Sequence, residues 1–539
     1  MRLPTSFRNN LLFLLSETQS QLSNLTVLLE TGISGLAENI LQRRGYATNL
    51  RMRIHQSSAE ALRLNKKQPV DTLSIRAGEA VSMSLEGIID SCFDCVEHVG
   101  RVHSKSILNK RNLLKMPRIL LQCLQRLEAS LEKNQAANLD DIRANYALLQ
   151  QQHDAFYAKR MQTLNKLKHP EDAIESLFIA NQLLQMGNLI ISIAESVMSA
   201  SIGQPLKLDG YLSLQSALEE LETDEVEIKP IAETRSGSGI SGIADTSGDN
   251  YLAIFKDGNR AKLKEEKDSV KQWHRLFPGL APQILAFNKQ GKNASLLIEY
   301  LPGKTYENIV LHESDDNLQN ATNRLYKTLE KIWKKTRRKR SVAANHMEQL
   351  RKRLPSVFEI HEAFNRPHES VCGKAVLSLH EMIDQAEKIE KALPASFSVL
   401  IHGDFNLDNI MYDETADKIH FIDLHRSASM DYVQDMSVFM VSNYRLQVVD
   451  QPTRRRINAV CQAMFEFASD FANKNNDSSF QVRLTLGLIR SFITSTRFIM
   501  DKTLANNMYL RAVYLLEKLL AHGQNDFSDY QLPVRELFS

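Results

Sequence analysis

From its start to about residue 225 the chain is sparse in glycine and proline, and its apolar residues recur at i, i+3, i+4 and i+7. That period puts apolar side chains on one stripe of an α-helix. Residues 16–43, 73–102, 119–134, 139–167 and 173–202 are therefore predicted as long amphipathic helices. Breaks are expected at Gly45, at Lys67-Gln68-Pro69, around 134–139 and at His169-Pro170. Helices of this kind bury their stripes against one another. An all-α bundle of about five or six helices is expected over residues 1–222.

At 539 residues the chain is too long for one core. The pattern turns strand-rich after the helical part and helical again from 306 onward, interrupted only by strands near 400–420. The expected organisation is thus multidomain, α and α+β: a helical bundle over 1–222, a β-rich segment over 223–303 and a mostly helical segment over 304–539. Apolar residues make up 43% and charged residues 24%, as in ordinary globular protein, and a net charge of +2 gives no global case for nucleic acid. No run of 18 or more consecutive apolar residues occurs, so no membrane span is expected, and the first residues lack a secretory signal's apolar stretch. The cysteines are odd in number and scattered. Cys92-x-x-Cys95 falls inside a helical pattern with no second pair, which favours two reduced, partly buried thiols over a zinc or redox site, and a cytoplasmic location.

The string Ile401 to Ile410, I-H-G-D-F-N-L-D-N-I, followed by F-I-D-L at Phe421 to Leu424, carries the chemistry. Asp404 can accept the proton of an attacking hydroxyl, while Asn409 and Asp423 offer hard oxygen ligands to Mg2+. Residues 398–401 and 418–422 are apolar, β-branched runs, and 413–417 reads as a turn between them. Upstream, Gly237-Ser238-Gly239-Ile240-Ser241-Gly242 precedes an apolar run, Tyr251 to Phe255, that ends in Lys256. Glycines let backbone N–H groups close over phosphates, and a lysine ending the third strand reaches the α- and β-phosphates. A glycine string alone is more often a flexible linker; the strand order around this one favours a nucleotide loop.

The pattern H-G-D-x-x-x-x-N followed by I-D resembles the catalytic loop and metal-binding segment of the aminoglycoside phosphotransferase and choline kinase superfamily. Those enzymes share the protein-kinase fold and move the γ-phosphoryl of ATP to a hydroxyl. The resemblance implies a bilobal phosphotransferase domain with ATP as co-substrate and Mg2+ as cofactor. It makes Asp404 the catalytic base and Asn409 and Asp423 the metal ligands. His402 would orient the loop and Asp435 would brace it. Glu266, with Glu265 as the close alternative, would pair with Lys256. Ser295 to Gly303 resembles the superfamily's hinge, so backbone groups around Glu299, Tyr300 and Leu301 would meet the adenine edge. Gly303-Lys304-Thr305 is no P-loop, because the glycine that motif needs is Ile298.

The helical half contains a weak repeat: Leu85 to Glu97 parallels Leu183 to Glu195. Both copies resemble the signature helix of PhoU-type phosphate-regulatory proteins, in which a ladder of acids can bind metal. The first copy keeps Glu86, Asp90 and Asp94, at a spacing that puts all three on one helical stripe. The second has Leu184, Asn188 and Ser192, so a single weak metal stripe is the most that is expected. Eight basic residues between Lys327 and Arg340 surround Trp333 and read first as a solvated helix face. The leading expectation is a kinase-type phosphotransferase acting on a small hydroxyl-bearing acceptor that the sequence does not identify. Its helical domain would regulate it through a protein partner or self-association. The alternatives are a nucleotide-binding scaffold with little turnover, or a protein or lipid kinase.

Overall fold

The computed structural model describes the chain except residues 1–2, 65–71, 109, 134–138, 165–168, 203–225, 231–238, 246–250, 291–292, 449, 524–526, 528 and 539. Two compact units emerge, Met1–Gly258 with Ala286–Leu297, and Asn259–Leu285 with Ile298–Ser539. The boundary expected after residue 222 falls outside the described residues. In this division the strands before Gly258 group with the helices.

The first unit opens with α1 Thr5–Thr31, α2 Ser34–Gln42, α3 Arg44–Leu64, α4 Thr72–Arg101, α5 Arg111–Lys133, α6 Leu139–Thr163 and α7 Pro170–Ile202. The expected run 16–43 is thus two helices. Gly32 ends the first in a left-handed conformation (φ 69°), its N–H donating to the Leu28 carbonyl at 2.8 Å. The stripe also begins earlier than expected, with Phe7, Leu11, Leu14 and Leu15 buried. Gly45, expected as a break, lies in the first turn of α3. The two repeat copies lie on α4 and α7, and their glycines sit at close helix contacts. A Cβ on Gly87 would stand 3.1 Å from Leu189, and one on Gly187 would meet Leu149 and Tyr146.

The helix segment Pro170–Ala200 is long and apolar enough by length and composition to cross a membrane, although no unbroken apolar run of that length occurs. Its Ala173, Ile179, Leu183, Met186 and Ile190 are buried in the bundle, as in the central helix of many cores. Cys92 and Cys95 are buried free thiols whose pKa burial pushes up, which suits packing and not reactivity. A five-stranded sheet follows: β1 Val226–Pro230, β2 Gly239–Asp245, β3 Tyr251–Asn259, β4 Ile284–Gln290 and β5 Asn293–Glu299, in the order β1-β2-β3-β5-β4. Ile243, Ala253, Phe255, Ala286 and Leu297 join the same apolar cluster as the helices.

The second unit holds α8 Arg260–Leu276, β6 Lys304–Thr305, α9 Tyr306–His312, α10 Asp315–Thr336 and α11 His346–Ile360. Next come a hairpin of β7 Glu369–Val371 and β8 Lys374–Val376, α12 Leu379–Ala392 and β9 Val399–Ile401. The hairpin was not expected from sequence. Its turn, Cys372-Gly373, has φ of 51° and 76°, the left-handed pair that joins two-residue hairpins. The chain continues through β10 Ile410–Asp413, β11 Lys418–Phe421 and β12 Ala428–Met430. It closes on α13 Val433–Tyr444, α14 Gln451–Lys474, α15 Phe480–Thr496, α16 Lys502–Ala521 and α17 Val534–Leu537. The two apolar runs expected as strands are β9 and β11, but each pairs elsewhere: β9 with β12, and β11 with β10, which in turn pairs with β6. The basic stretch around the buried Trp333 is split among local contacts. Lys335 Nζ donates to the Leu276 carbonyl at 2.7 Å, Lys334 pairs with Glu330, and Arg337 stacks over Phe397.

Candidate active site

The loop after β9 is shaped by one glycine and one carboxylate. Gly403 has φ 86°, and a Cβ there would collide with the Arg426 carbonyl, so only glycine fits. The buried Asp435 carboxylate, at the start of α13, accepts the backbone N–H of His402 at 2.7 Å and of Gly403 at 2.9 Å. Burial dominates its titration and pushes its pKa up to about 7 despite these two donors.

His402 fastens the loop to the segment that follows β11. Its Nε2 lies 2.9 Å from the Ile422 carbonyl, which can only accept, so Nε2 carries the proton and Nδ1 accepts the Asp404 N–H at 3.3 Å. The ring is buried and neutral, its pKa lowered to about 4 chiefly by desolvation. The His402 carbonyl accepts from Ser427 Oγ at 3.1 Å, and that oxygen accepts the indole N–H of Trp273 at 2.8 Å. A chain of hydrogen bonds thereby ties α8 to the loop.

Asp404 and Asn409 come together across the four residues that separate them. Asn409 Nδ2 donates to the Asp404 carbonyl at 2.8 Å, and Asn406 Nδ2 donates to the Asp404 carboxylate at 2.8 Å. Arg426 Nη1 stands 3.2 Å from the other carboxylate oxygen. Since the Asn409 amide nitrogen is engaged, its oxygen is the atom left for a cation. The Asn409 carbonyl accepts from the Ile422 N–H at 3.1 Å, placing Asp423 one residue beyond that bridge. Asp423 has φ 58°, an uncommon conformation for a residue with a side chain, and its carboxylate meets His425 Nδ1 at 2.9 Å. That bond, more than any other influence, raises the His425 pKa. An amide and a carboxylate with hard oxygens, joined through Ile422, are a donor set suited to Mg2+.

Other expected residues lie as follows. Gly237 is outside the described residues. Gly239 and Gly242 lie in β2, paired with Asp257 and Ile254 of β3, so they are strand and not loop. Lys256, in β3 opposite Ile240, is buried. Glu266 is buried on α8 whereas Glu265 is exposed, which settles which neighbour turns inward. Glu299 ends β5, its N–H donating to the Gln283 carbonyl at 2.9 Å while its carboxylate accepts the Gln283 N–H at 3.0 Å. Leu301 is buried, and Tyr300 partly so. In the bundle, Glu86 pairs with Arg51, Asp94 accepts from Gln182 at 3.1 Å, and Asp90 is exposed. Among the described residues, converging ligand atoms are found instead at His103, His169 and Glu171.

Sequence reasoning missed Asn406, Arg426 and Ser427. Asn406 and Arg426 sit inside or just after the two motifs, so proximity to Asp404 and Asp423 was the available signal. Nothing in the spacing marked Ser427.

Residues 231–469 match the phosphotransferase enzyme family. None of the curated proteins matches the chain. Among solved structures it is similar to an ethanolamine kinase from Plasmodium vivax, with 15% identity over 57% of this chain and 88% of that one and a TM-score of 0.34. It is similar to an aminoglycoside-3'-phosphotransferase of type VIII, with 14% identity over 53% and 99% of the two chains and a TM-score of 0.34. It is also similar to the phosphate transport system regulatory protein PhoU from Streptococcus pneumoniae, with 17% identity over 37% and 96% and a TM-score of 0.35. Residues 231–469 are thus a domain of the phosphotransferase enzyme family.

Proposed function

We propose that the protein transfers the γ-phosphoryl group of Mg·ATP to a hydroxyl of a small-molecule acceptor, with Asp404 as the base. The observation that carries this is the Asn409 Nδ2 to Asp404 carbonyl hydrogen bond at 2.8 Å. It fixes a proton-accepting carboxylate and a metal-seeking amide oxygen on one short turn, as in-line phosphoryl transfer requires. The acceptor oxygen attacks the γ-phosphorus, the bond to the β,γ-bridging oxygen breaks, ADP leaves, and the acceptor proton passes to Asp404. Asn406 and Arg426 hold that carboxylate in place, and the neutral His402 keeps the loop registered against Ile422. Asn409 and Asp423 would hold Mg2+, which when bound neutralises phosphate charge. Lys256 is proposed as a nucleotide-phosphate contact, and Glu299 to Leu301 as the adenine-facing backbone.

The test is Mg·ATP-dependent transfer from γ-labelled ATP into small molecules of a cell extract. Wild type should label a product and Asp404→Asn should not. Equal background in both removes the enzymatic reading.

A further inference from the structure

Four arginines from three stretches of sequence in the second unit form one group of interacting charges that includes Asp404. Arg353 lies on α11, Arg490 on α15, Arg497 caps the C-terminus of α15, and Arg426 follows Asp423 in the loop. Arg426 contacts the Asp404 carboxylate directly. Arg490 is only 6% exposed, yet its Nε and Nη2 have no hydrogen-bond partner, and neither does Nε of the half-buried Arg497. The cations feel one another. Burial lowers the pKa of Arg353, and Arg497 and Arg426 lower it further; Arg490 falls to about 10 through burial and then Arg353.

The balancing carboxylates are few. Asp404 and Glu390 act on Arg490, and Arg490 in turn acts on the buried Asp435, which is engaged by the N–H groups of His402 and Gly403. Glu390 is already engaged, accepting the N–H groups of His346 and Met347 at 2.5 and 2.9 Å, and its own pKa is raised by burial. A buried guanidinium with unsatisfied N–H groups is costly unless an anion completes it. The planar fork of arginine is shaped for carboxylate and phosphate.

We propose that this cluster is the acceptor subsite of the phosphotransferase reading, and that the acceptor is an anionic alcohol. A phosphate or carboxylate would seat between Arg353, Arg490 and Arg497, and its hydroxyl would be presented to Asp404. In the acidic run from Glu313 to Asp316, which could have faced a cationic acceptor, Glu313 and Asp315 are otherwise occupied. Glu313 pairs with Lys304, Asp315 with Arg456, and Ser314 caps α10.

The claim rests on the proposed transfer reaction but is tested without it, by calorimetry on the full chain at fixed ionic strength and with no ATP present. The probes are glycerol 3-phosphate, glycerate, inorganic phosphate, glycerol and choline. Wild type should bind the phosphate or carboxylate alcohol and not glycerol or choline, and competition by inorganic phosphate tells which anionic group is read. Arg353→Gln and Arg497→Gln, both at half-buried positions, should each weaken binding roughly 10- to 100-fold, the loss expected for a charged hydrogen bond. Arg497→Lys should recover part of it, and Mg·ADP affinity should stay within about twofold. The proposal is overturned if wild type binds none of the anions or binds choline instead. It is equally overturned if both glutamine variants bind like wild type, or if they lose Mg·ADP affinity to the same extent. Anion binding without any phosphoryl transfer would count against the reaction and not against the site.

Discussion

The carboxylate of Asp435 holds the backbone N–H of Gly403 at 2.9 Å, although the two residues are 32 positions apart. This contact fixes the turn on which Asp404 rides, and it is made by a carboxylate whose pKa burial lifts to about 7. The folded state therefore holds the Asp435 proton more tightly than the unfolded chain does. The stabilisation from that proton is complete below about pH 4 and is lost as pH rises through about 7. Asp435→Asn removes the titration. In urea unfolding, the stability of wild type relative to this variant should fall between pH 4 and 7 and level off above. A difference that stays constant across the range contradicts the raised pKa.

Gly403→Ala should be among the most damaging single changes in the second unit. A side chain at φ 86° is strained, and its Cβ meets the Arg426 carbonyl group, including the carbon at 2.7 Å. A loss of about 2 kcal/mol or more in unfolding free energy is expected, with near-complete loss of turnover. Near wild-type stability in the alanine variant would mean that the turn has another conformation.

His402 should prove structural. Its pKa is lowered to about 4, so the stability it lends is present above the ordinary histidine range and is lost as pH falls toward 4. His402→Ala should lower unfolding free energy by about 2 kcal/mol, since it leaves the Ile422 carbonyl and the Asp404 N–H unpaired. The pH–rate profile of the remaining activity should keep its shape. An ionisation near neutrality that disappears in the variant would make His402 a participant in proton transfer.

The helical half is proposed to fold by itself, because α1 to α7 close a core of their own. Ile243, Ala253 and Phe255 of the sheet add to that core. A fragment of residues 1–222 should therefore melt cooperatively by circular dichroism, though at a lower temperature than the intact chain. A fragment with no cooperative transition would show that the sheet residues are indispensable to the bundle.

Much of this was legible in the sequence wherever function is local. His402, Asp404, Asn409 and Asp423 lie within one short stretch, and the loop chemistry constrains their spacing. The helices were legible because each buries one stripe at the 3.6-residue period. Their ends were harder to place: Gly32 stops α1 through a left-handed cap, while Gly45 simply continues a helix. The arginine cluster was invisible for the opposite reason. Arg353 meets Arg490 and Arg497 only through the packing of α11 on α15, with Arg426 added from the loop after Asp423, and no spacing along the chain records that. The glycine string looked like a loop because glycine suits loops, yet Gly239 and Gly242 pair within β2.

The division of labour between Asp404 and Asp423 is measured most directly by nucleotide affinity and single-turnover transfer on Asp404→Asn and Asp423→Asn. Asp404 meets Asn406 and Arg426, while Asp423 lies one residue beyond the bridge to Asn409. Asp404→Asn should leave Mg·ATP affinity within about twofold and cut transfer by roughly 100- to 10,000-fold, the usual worth of a general base. Asp423→Asn should lower both, because it removes a metal ligand. If Asp404→Asn abolishes Mg·ATP binding while Asp423→Asn retains binding and transfer, the assignment of base and metal ligand on this loop is wrong.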